Sequence, residues 1–160
     1  MNRGLLLTLT EPPPDMEVEF NAWYDDEHLA ERLAIPGFRS ASRWVADVPP
    51  GSGKYLATYE LDSPAVLSSP AYLQRFENPT PWSKRCLGKA VVFKRWVCEQ
   101  VEPGDAGPDP AARALLLNGV IPGALQIRRF VAGSGEPITL CELSGVVKPP
   151  AGLVYRFYQP

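Results

Sequence analysis

The chain has a single histidine, His28, and three cysteines among its 160 residues. Cys86, Cys98 and Cys141 are odd in number, widely spaced and without a C-x-x-C pair, which argues against a disulfide framework and a zinc knuckle. Free thiols in a reducing cytosol are the expectation. A lone histidine among carboxylates lacks a second nitrogen or sulfur ligand, so neither a metal nor haem is expected, and no cofactor. An excess of one charge is missing too: 16 basic side chains face 18 acidic ones. Without a run of like charge, neither nucleic acid nor a membrane surface is an expected partner. Long hydrophobic runs are also absent. The stretch Gly4 to Leu9 is too short for a signal peptide and far short of a membrane span, and cytoplasmic residence is the expectation.

What is present is 45% hydrophobic residues in a length that suits one compact domain. The first apolar segment, "RGLLLTLT", reads as a strand. Pro12 to Pro14 break it, and Asp15 can cap a helix from about Met16 to Ala34, closed by "IPGF". "FRSASRWVAD" and "KYLATYEL" read as strands joined by the turn "VPPGSG" in the manner of a hairpin. "SPAVLSSPAYLQRFE" has two Ser-Pro helix starts. "KAVVFKRWVCEQ" has aromatic and β-branched residues on both parities, which predicts a strand buried at least in its middle. The order is β-α-β-β-α-β.

The chain then repeats itself. After the linker "VEPGDAGPDP", "RALLLNG" echoes "RGLLLTL" 110 positions earlier; "IPGALQIRRFVA" matches "IPGFRSASRWVA" at an offset of 86, "GSGEPITLCEL" matches "GSGKYLATYEL" at 82, and "LVYRFY" resembles "VVFKRW" at 62. The offset drops by 24 and then by 20, each about one helix with its connections, so the second copy keeps its strands and loses its helices. The predicted organisation is α+β: a complete repeat over 1–102, a linker over 103–112, and a degenerate, strand-only second repeat over 113–160, packed as one structural domain. Two such sheets bury their open faces against each other in a barrel-like core. The outer face of the second sheet, bare of helices and rich in aliphatic residues, predicts a homodimer.

The stretch "EFNAWYDDEHLAERLAIPGFRSASRW" resembles the first helix and second strand of the dimeric α/β-barrel superfamily, ferredoxin-like in topology. Within it the W-Y-x-x-E-H helix and P-G-F turn are similar to the EthD-like group and related proteins of unknown function. The resemblance covers residues 1–100 well and the rest only as the degraded repeat. It implies a ferredoxin-like β-α-β-β-α-β unit and its helix-less copy forming a dimeric-α/β-barrel-like fold within one chain. The superfamily hosts cofactor-free monooxygenases, isomerases, cyclases, haem-degrading enzymes and proteins without known activity, so fold alone does not name a reaction.

On a helical wheel starting at Phe20, the residues Ala22, Trp23, Leu29, Ala30, Leu33 and Ala34 share its half and form the expected core face. His28 falls at about 80°, on the flank beside Tyr24. Arg32 lies one turn on, and Asp25 three residues back makes a hydrogen-bonded histidine available. Histidine with a carboxylate can move protons near neutral pH, and a tyrosine at i−4 can position a carbonyl or phenol. His28 and Tyr24 are therefore the candidate catalytic residues. Asp25 is expected to be solvated, whereas Glu27 and Glu31, beside Phe20, are expected to pair with Arg43 or Arg39. "NPTPWSKR", Asn78 to Arg85, reads as a proline-stiffened loop that brings an aromatic and two cations together. Trp82, Arg85 and Trp23 are the candidate ligand-binding residues, for a small hydrophobic or aromatic ligand. Two readings stand: a cofactor-independent isomerase, cyclase, lyase or oxygenase acting on a hydrophobic carbonyl compound, with His28 as acid/base, or a non-catalytic small-ligand-binding or accessory protein.

Overall fold

Alternation along the first and third strands sets the architecture. In β1 (Gly4–Glu11), Leu5, Leu7 and Leu9 point to one side and Leu6 and Thr8 to the other; in β3 (Tyr55–Leu61), Leu56, Thr58 and Glu60 oppose Tyr55, Ala57 and Tyr59. The computed structural model describes residues 2–145 and 153–160. With β2 (Phe38–Val45), β4 (Val92–Glu102), β5 (Ala114–Leu117), β6 (Gln126–Ala132), β7 (Pro137–Leu143) and β8 (Val154–Phe157), these strands close into one antiparallel barrel, in the order β1-β3-β2-β8-β5-β7-β6-β4. The first four strands lie as β4-β1-β3-β2 and the last four as β8-β5-β7-β6, the same permutation in each half.

Turn geometry is matched as well. Gly37 and Gly123 have φ of 95° and 82°, and Gly53 and Gly135 have 91° and 90°. Only glycine adopts that region without strain. At Gly53 a Cβ would also meet the Leu9 side chain at 2.7 Å.

Two main cores result. Leu5, Leu7 and Leu9 pack inside the barrel against Leu56, Phe130 and Ile138, while Leu6 and Tyr59 face the helices and meet Phe20, Trp23, Tyr24 and Tyr72. Each fully buried aliphatic or aromatic side chain contributes about 1.5–3 kcal/mol. A third, small cluster lies outside the second half, where Ile121 packs on Ala114, Leu116, Cys141 and Leu143. That outer face is thus partly covered by the chain's own 118–125 segment. The three cysteines are free and buried.

The helices differ from the expectation in two places. The expected single helix from Met16 to Ala34 is a 3-10 turn (Pro14–Met16), α1 (Glu17–Trp23), a π turn (Tyr24–His28) and α2 (Leu29–Leu33). Both Ser-Pro starts are used: Ser63 caps a 3-10 turn (Pro64–Ser68), and Ser69 caps α3 (Pro70–Glu77) by accepting from the Tyr72 amide. The stretch expected as a loop at Asn78 to Arg85 instead starts α4 (Pro81–Lys89), because Thr80-Pro81 is another cap and N1 pair, with Thr80 Oγ1 accepting from the Ser83 amide. The fourth strand is partly buried at its middle, at Trp96 and Val97, and fully at Cys98, whereas Phe93 near its start is half exposed at the rim of a cavity. No helix among the described residues is long and apolar enough to cross a membrane.

Charge is buried inside the barrel. Arg128 on β6, 1% exposed, donates from Nη1 and Nη2 to both oxygens of Glu60 on β3 at 2.8 and 3.0 Å, and from Nε to Glu142 Oε1 on β7 at 2.9 Å. Gln100 Oε1 takes a further Nη1 hydrogen at 3.2 Å. The second oxygen of Glu142 accepts from the Asp109 amide and Gln126 Nε2. The cluster ties β3, β6 and β7 together through buried charges that each need the others in place. Arg128→Met leaves Glu60 with only the longer Arg3 pair and Glu142 with no cation, and is expected to lower unfolding free energy by about 3 kcal/mol. Urea denaturation measures this; a loss below about 1 kcal/mol would show that water reaches the cluster.

Candidate functional site

The π turn decides which side chains face the sheet. Each residue of an α-helix turns the chain by about 100°, and a π turn inserts one extra residue, rotating all that follows back by about that angle. His28 and Arg32 therefore move from the flank onto the line that begins with Phe20, Trp23 and Tyr24. The expected core residues Ala30, Leu33 and Ala34 are carried outward, and Leu33 is 41% exposed. A uniform 100° wheel could not show this shift.

His28 is buried, and its ring lies 4.4 Å from that of Trp23 in a stacked pose and 5.0 Å from Tyr24 edge-on. Together with Tyr24 and Arg32 it lines a cavity of about 140 Å³ between helix and sheet. Thr8 and Tyr59 form its floor, and Tyr72, Phe76, Phe93 and Arg95 its outer wall. Phe76 and Phe93 are both half exposed at the mouth. Ligand pockets usually enclose about 300 Å³ or more. This void therefore takes the end of a molecule, the remainder lying across the phenylalanine rim.

Among the described residues, three buried polar atoms on this one cavity have no hydrogen-bond partner, Thr8 Oγ1, His28 Nδ1 and Tyr59 Oη, and a fourth, Arg32 Nη1, has only the Glu31 carboxylate at 3.5 Å. Buried polar groups are nearly always paired, so a concentration of unpaired ones marks a place where something else binds. Burial holds the His28 imidazole down at about 3, with the Arg32 and Arg43 charges adding to the effect. The ring is accordingly neutral at physiological pH. Burial also pushes the Tyr59 phenol well above its ordinary value, with Tyr24 beside it, so Tyr59 remains a donor.

The expected carboxylate partner of His28 is engaged elsewhere. Arg43 donates to Asp25 Oδ1 at 3.2 Å and to Asn21 Oδ1 at 2.8 Å, and its guanidinium lies 4.2 Å from the Tyr24 ring centre and 4.3 Å from that of Tyr158. This clamp fixes Tyr24 and leaves Asp25 half-buried and paired rather than solvated. Glu27 accepts from Thr80 Oγ1, and Arg39 pairs with Asp62, so neither Arg39 nor Arg43 serves Glu27 or Glu31.

Of the expected ligand-binding residues, none lines the cavity. Trp23 is fully buried behind His28, its Nε1 donating to Ser83 Oγ at 3.1 Å. Trp82 packs into the helix–sheet core, and Arg85 is exposed and bound to Glu19. The helical form of residues 81–89 turns these two side chains away from the mouth. Thr8, Tyr59, Arg32 and Phe93 are cavity residues that sequence reasoning does not single out as ligand contacts. For Tyr59 the available signal is the alternation in "YLATYEL", which places it on the helix side with Tyr55 and Ala57.

Between about pH 6.5 and 3, the unfolded chain binds a proton at His28 that the folded protein does not. Stability therefore falls as pH drops through that window, by about 1.4 kcal/mol per pH unit for this one group. His28→Gln is expected to flatten the fall, seen as a smaller change in urea midpoint between about pH 6.5 and 4.5 than in the parent protein. Equal slopes would mean that the imidazole is not buried in its neutral form.

No protein-family model matches the chain, and no curated protein sequence does. Among solved structures, the crystal structure of an anthrone oxidase-like protein superposes with a TM-score of 0.60, covering 99% of this chain and 92% of that one at 10% sequence identity. At that identity the likeness is one of fold alone: a mixed α/β structure built around a closed eight-stranded antiparallel barrel.

Proposed function

We propose that the chain is a small-molecule enzyme that acts, without needing a cofactor for its first step, on a hydrophobic carbonyl compound held between the helices and the sheet. The observation that carries this is the convergence on one aromatic-rimmed cavity of three buried polar atoms unpaired among the described residues, from Thr8, His28 and Tyr59, with the Arg32 guanidinium, which pairs only with Glu31 at 3.5 Å. Neutral His28 takes a proton from the carbon next to the carbonyl. The enolate oxygen so formed accepts hydrogen bonds from Tyr59 and Arg32, donors already in place before charge develops. An empty site keeps the proton affinity of His28 low; an enolate beside it offsets the arginine charges and raises that affinity at the moment of transfer.

Returning the proton to a different carbon completes an isomerisation with no other reactant. With one molecule of dioxygen as co-reactant, an activated methylene becomes a carbonyl and one water leaves. One oxygen atom stays on the carbon, the other departs with both methylene hydrogens, and the carbon loses the four electrons that the oxygen gains. The name of the solved neighbour, anthrone oxidase-like, supports the second branch. The alternative, a ligand-binding protein without turnover, is favoured by the small size of the void, about 140 Å³.

Exchange of the acidic hydrogens of polycyclic ketones into deuterated water, followed by NMR, separates the readings because it detects proton abstraction whatever follows. His28→Gln is expected to slow exchange by about 100-fold or more, and Tyr59→Phe by about 10-fold or more, with ligand affinity little changed. Exchange at the parent rate in His28→Gln would remove His28 from the chemistry, and binding without exchange in the parent protein would favour the binding module.

The same proposal takes the chain as a ferredoxin-like unit followed by a helix-poor copy, with EthD-like kinship carried by the W-Y-x-x-E-H helix. The shared strand permutation and the matched glycine turns support it. The second half has no helix among its described residues, hence one such site per chain. Val101 and Val131, exposed on the outer face of β4 and β6, fit a homodimer contact. Sedimentation equilibrium is expected to give twice the chain mass, and Val131→Lys a shift toward the single chain.

A further inference from the structure

On the opposite face of the sheet from His28, at one end of the barrel interior, lies a second cavity of about 400 Å³. Its cause is the seam of the barrel. Among the described residues, β8 pairs with β2 at Trp44–Phe157 and Val45–Arg156, with the Tyr158 amide donating to the Arg43 carbonyl at 2.9 Å. Farther along β2, the small side chains of Ser40 and Ser42 face the 108–113 segment across this void instead of a strand. Protein interiors close on themselves to crystal-like density, so a space of ligand size inside a barrel calls for an occupant.

The lining states what that occupant is. Trp44 and Phe157, edge to face at 5.3 Å, and Leu115 and Leu140 supply apolar walls for a flat body. At the floor sit Glu60, Arg128 and Glu142. Arg128 carries five N–H donors and spends four on described residues. Among those residues, Glu60 Oε2, 3.0 Å from Arg128 Nη2, accepts that bond alone. One spare donor and one spare acceptor thus stand on adjacent groups. With Arg3 paired to Glu60, the charges of Arg3, Arg113 and Arg128 balance those of Glu60, Asp109 and Glu142, so the site attracts no net charge.

We propose that the barrel end is a second binding site, separate from the helix-side cavity, for a neutral, flat cyclic amide. Its ring lies against Trp44 and Phe157, its carbonyl accepts from Arg128 and its N–H donates to Glu60. The site rests on the barrel seam and owes nothing to the proton chemistry assigned to His28.

The probe is 2-quinolinone, added to nitrogen-15-labelled protein. The reporter is the Trp44 indole N–H, which donates to Thr58 Oγ1 at the cavity wall. A saturable shift of that signal is expected, with the His28 ring signals unmoved. N-methyl-2-quinolinone, which cannot donate to Glu60, is expected to bind about 10-fold more weakly or worse. Ser42→Trp, and separately Ser40→Trp on the exposed rim, fill the mouth and are expected to abolish the shift while the urea midpoint holds. Absence of a saturable shift at Trp44, equal affinity for the N-methyl compound, or a shift that survives in whichever of the two variants folds overturns the proposal.

Discussion

The fold turns on one buried cation. Arg128 sits on a strand of the second half, and its carboxylate partners lie on β3 of the first half and β7 of the second. A guanidinium taken out of water is tolerated only where each of its neighbours is in register, since a one-residue slip of any strand would point the partner out of the barrel. The cluster is thus weak evidence for extra stability and strong evidence for a single arrangement of the two halves. Closing the barrel around it occupies one face of every strand. The other face of the first sheet is left for helices, and the candidate site forms there.

A second constraint acts on that helical layer. The extra residue in the Tyr24–His28 turn rotates the chain so that an imidazole and a guanidinium, rather than leucines, meet the sheet. Arg43 and Trp23 then hold Tyr24 and His28 from behind. The cost is a set of buried polar atoms without partners among the described residues, including an imidazole forced to stay neutral. Such local losses persist at functional sites because the surrounding packing over-determines them. The two cavities share a sheet but not a cause: one follows from a helical irregularity, the other from a short strand seam.

Much of this was readable without coordinates, and for identifiable reasons. Alternation in "RGLLLTLT" and "KYLATYEL" separates two faces because strand side chains repeat with period two. The glycines of "IPG" and "GSG" mark turns in both halves, and the Ser-Pro pairs mark helix starts at Ser63 and Ser69. The same Thr-Pro signal at residue 80 was overshadowed by its neighbouring prolines, and with it went the placement of Trp82 and Arg85. His28 stood out by composition, being unique in the chain, and Tyr24 by its place one helical turn before it.

The amino-acid sequence by itself determined the order of the strands, their faces and the presence of a helical segment after the first strand, because these depend on local periodicity and backbone preference. Tertiary structure alone decided which polar atoms are left unpaired together, that Asp25 serves Arg43 rather than His28, and that Arg128 binds carboxylates 68 and 14 residues away. Those outcomes depend on contacts between distant segments and on the removal of water, and neither quantity is written in any local stretch of the chain.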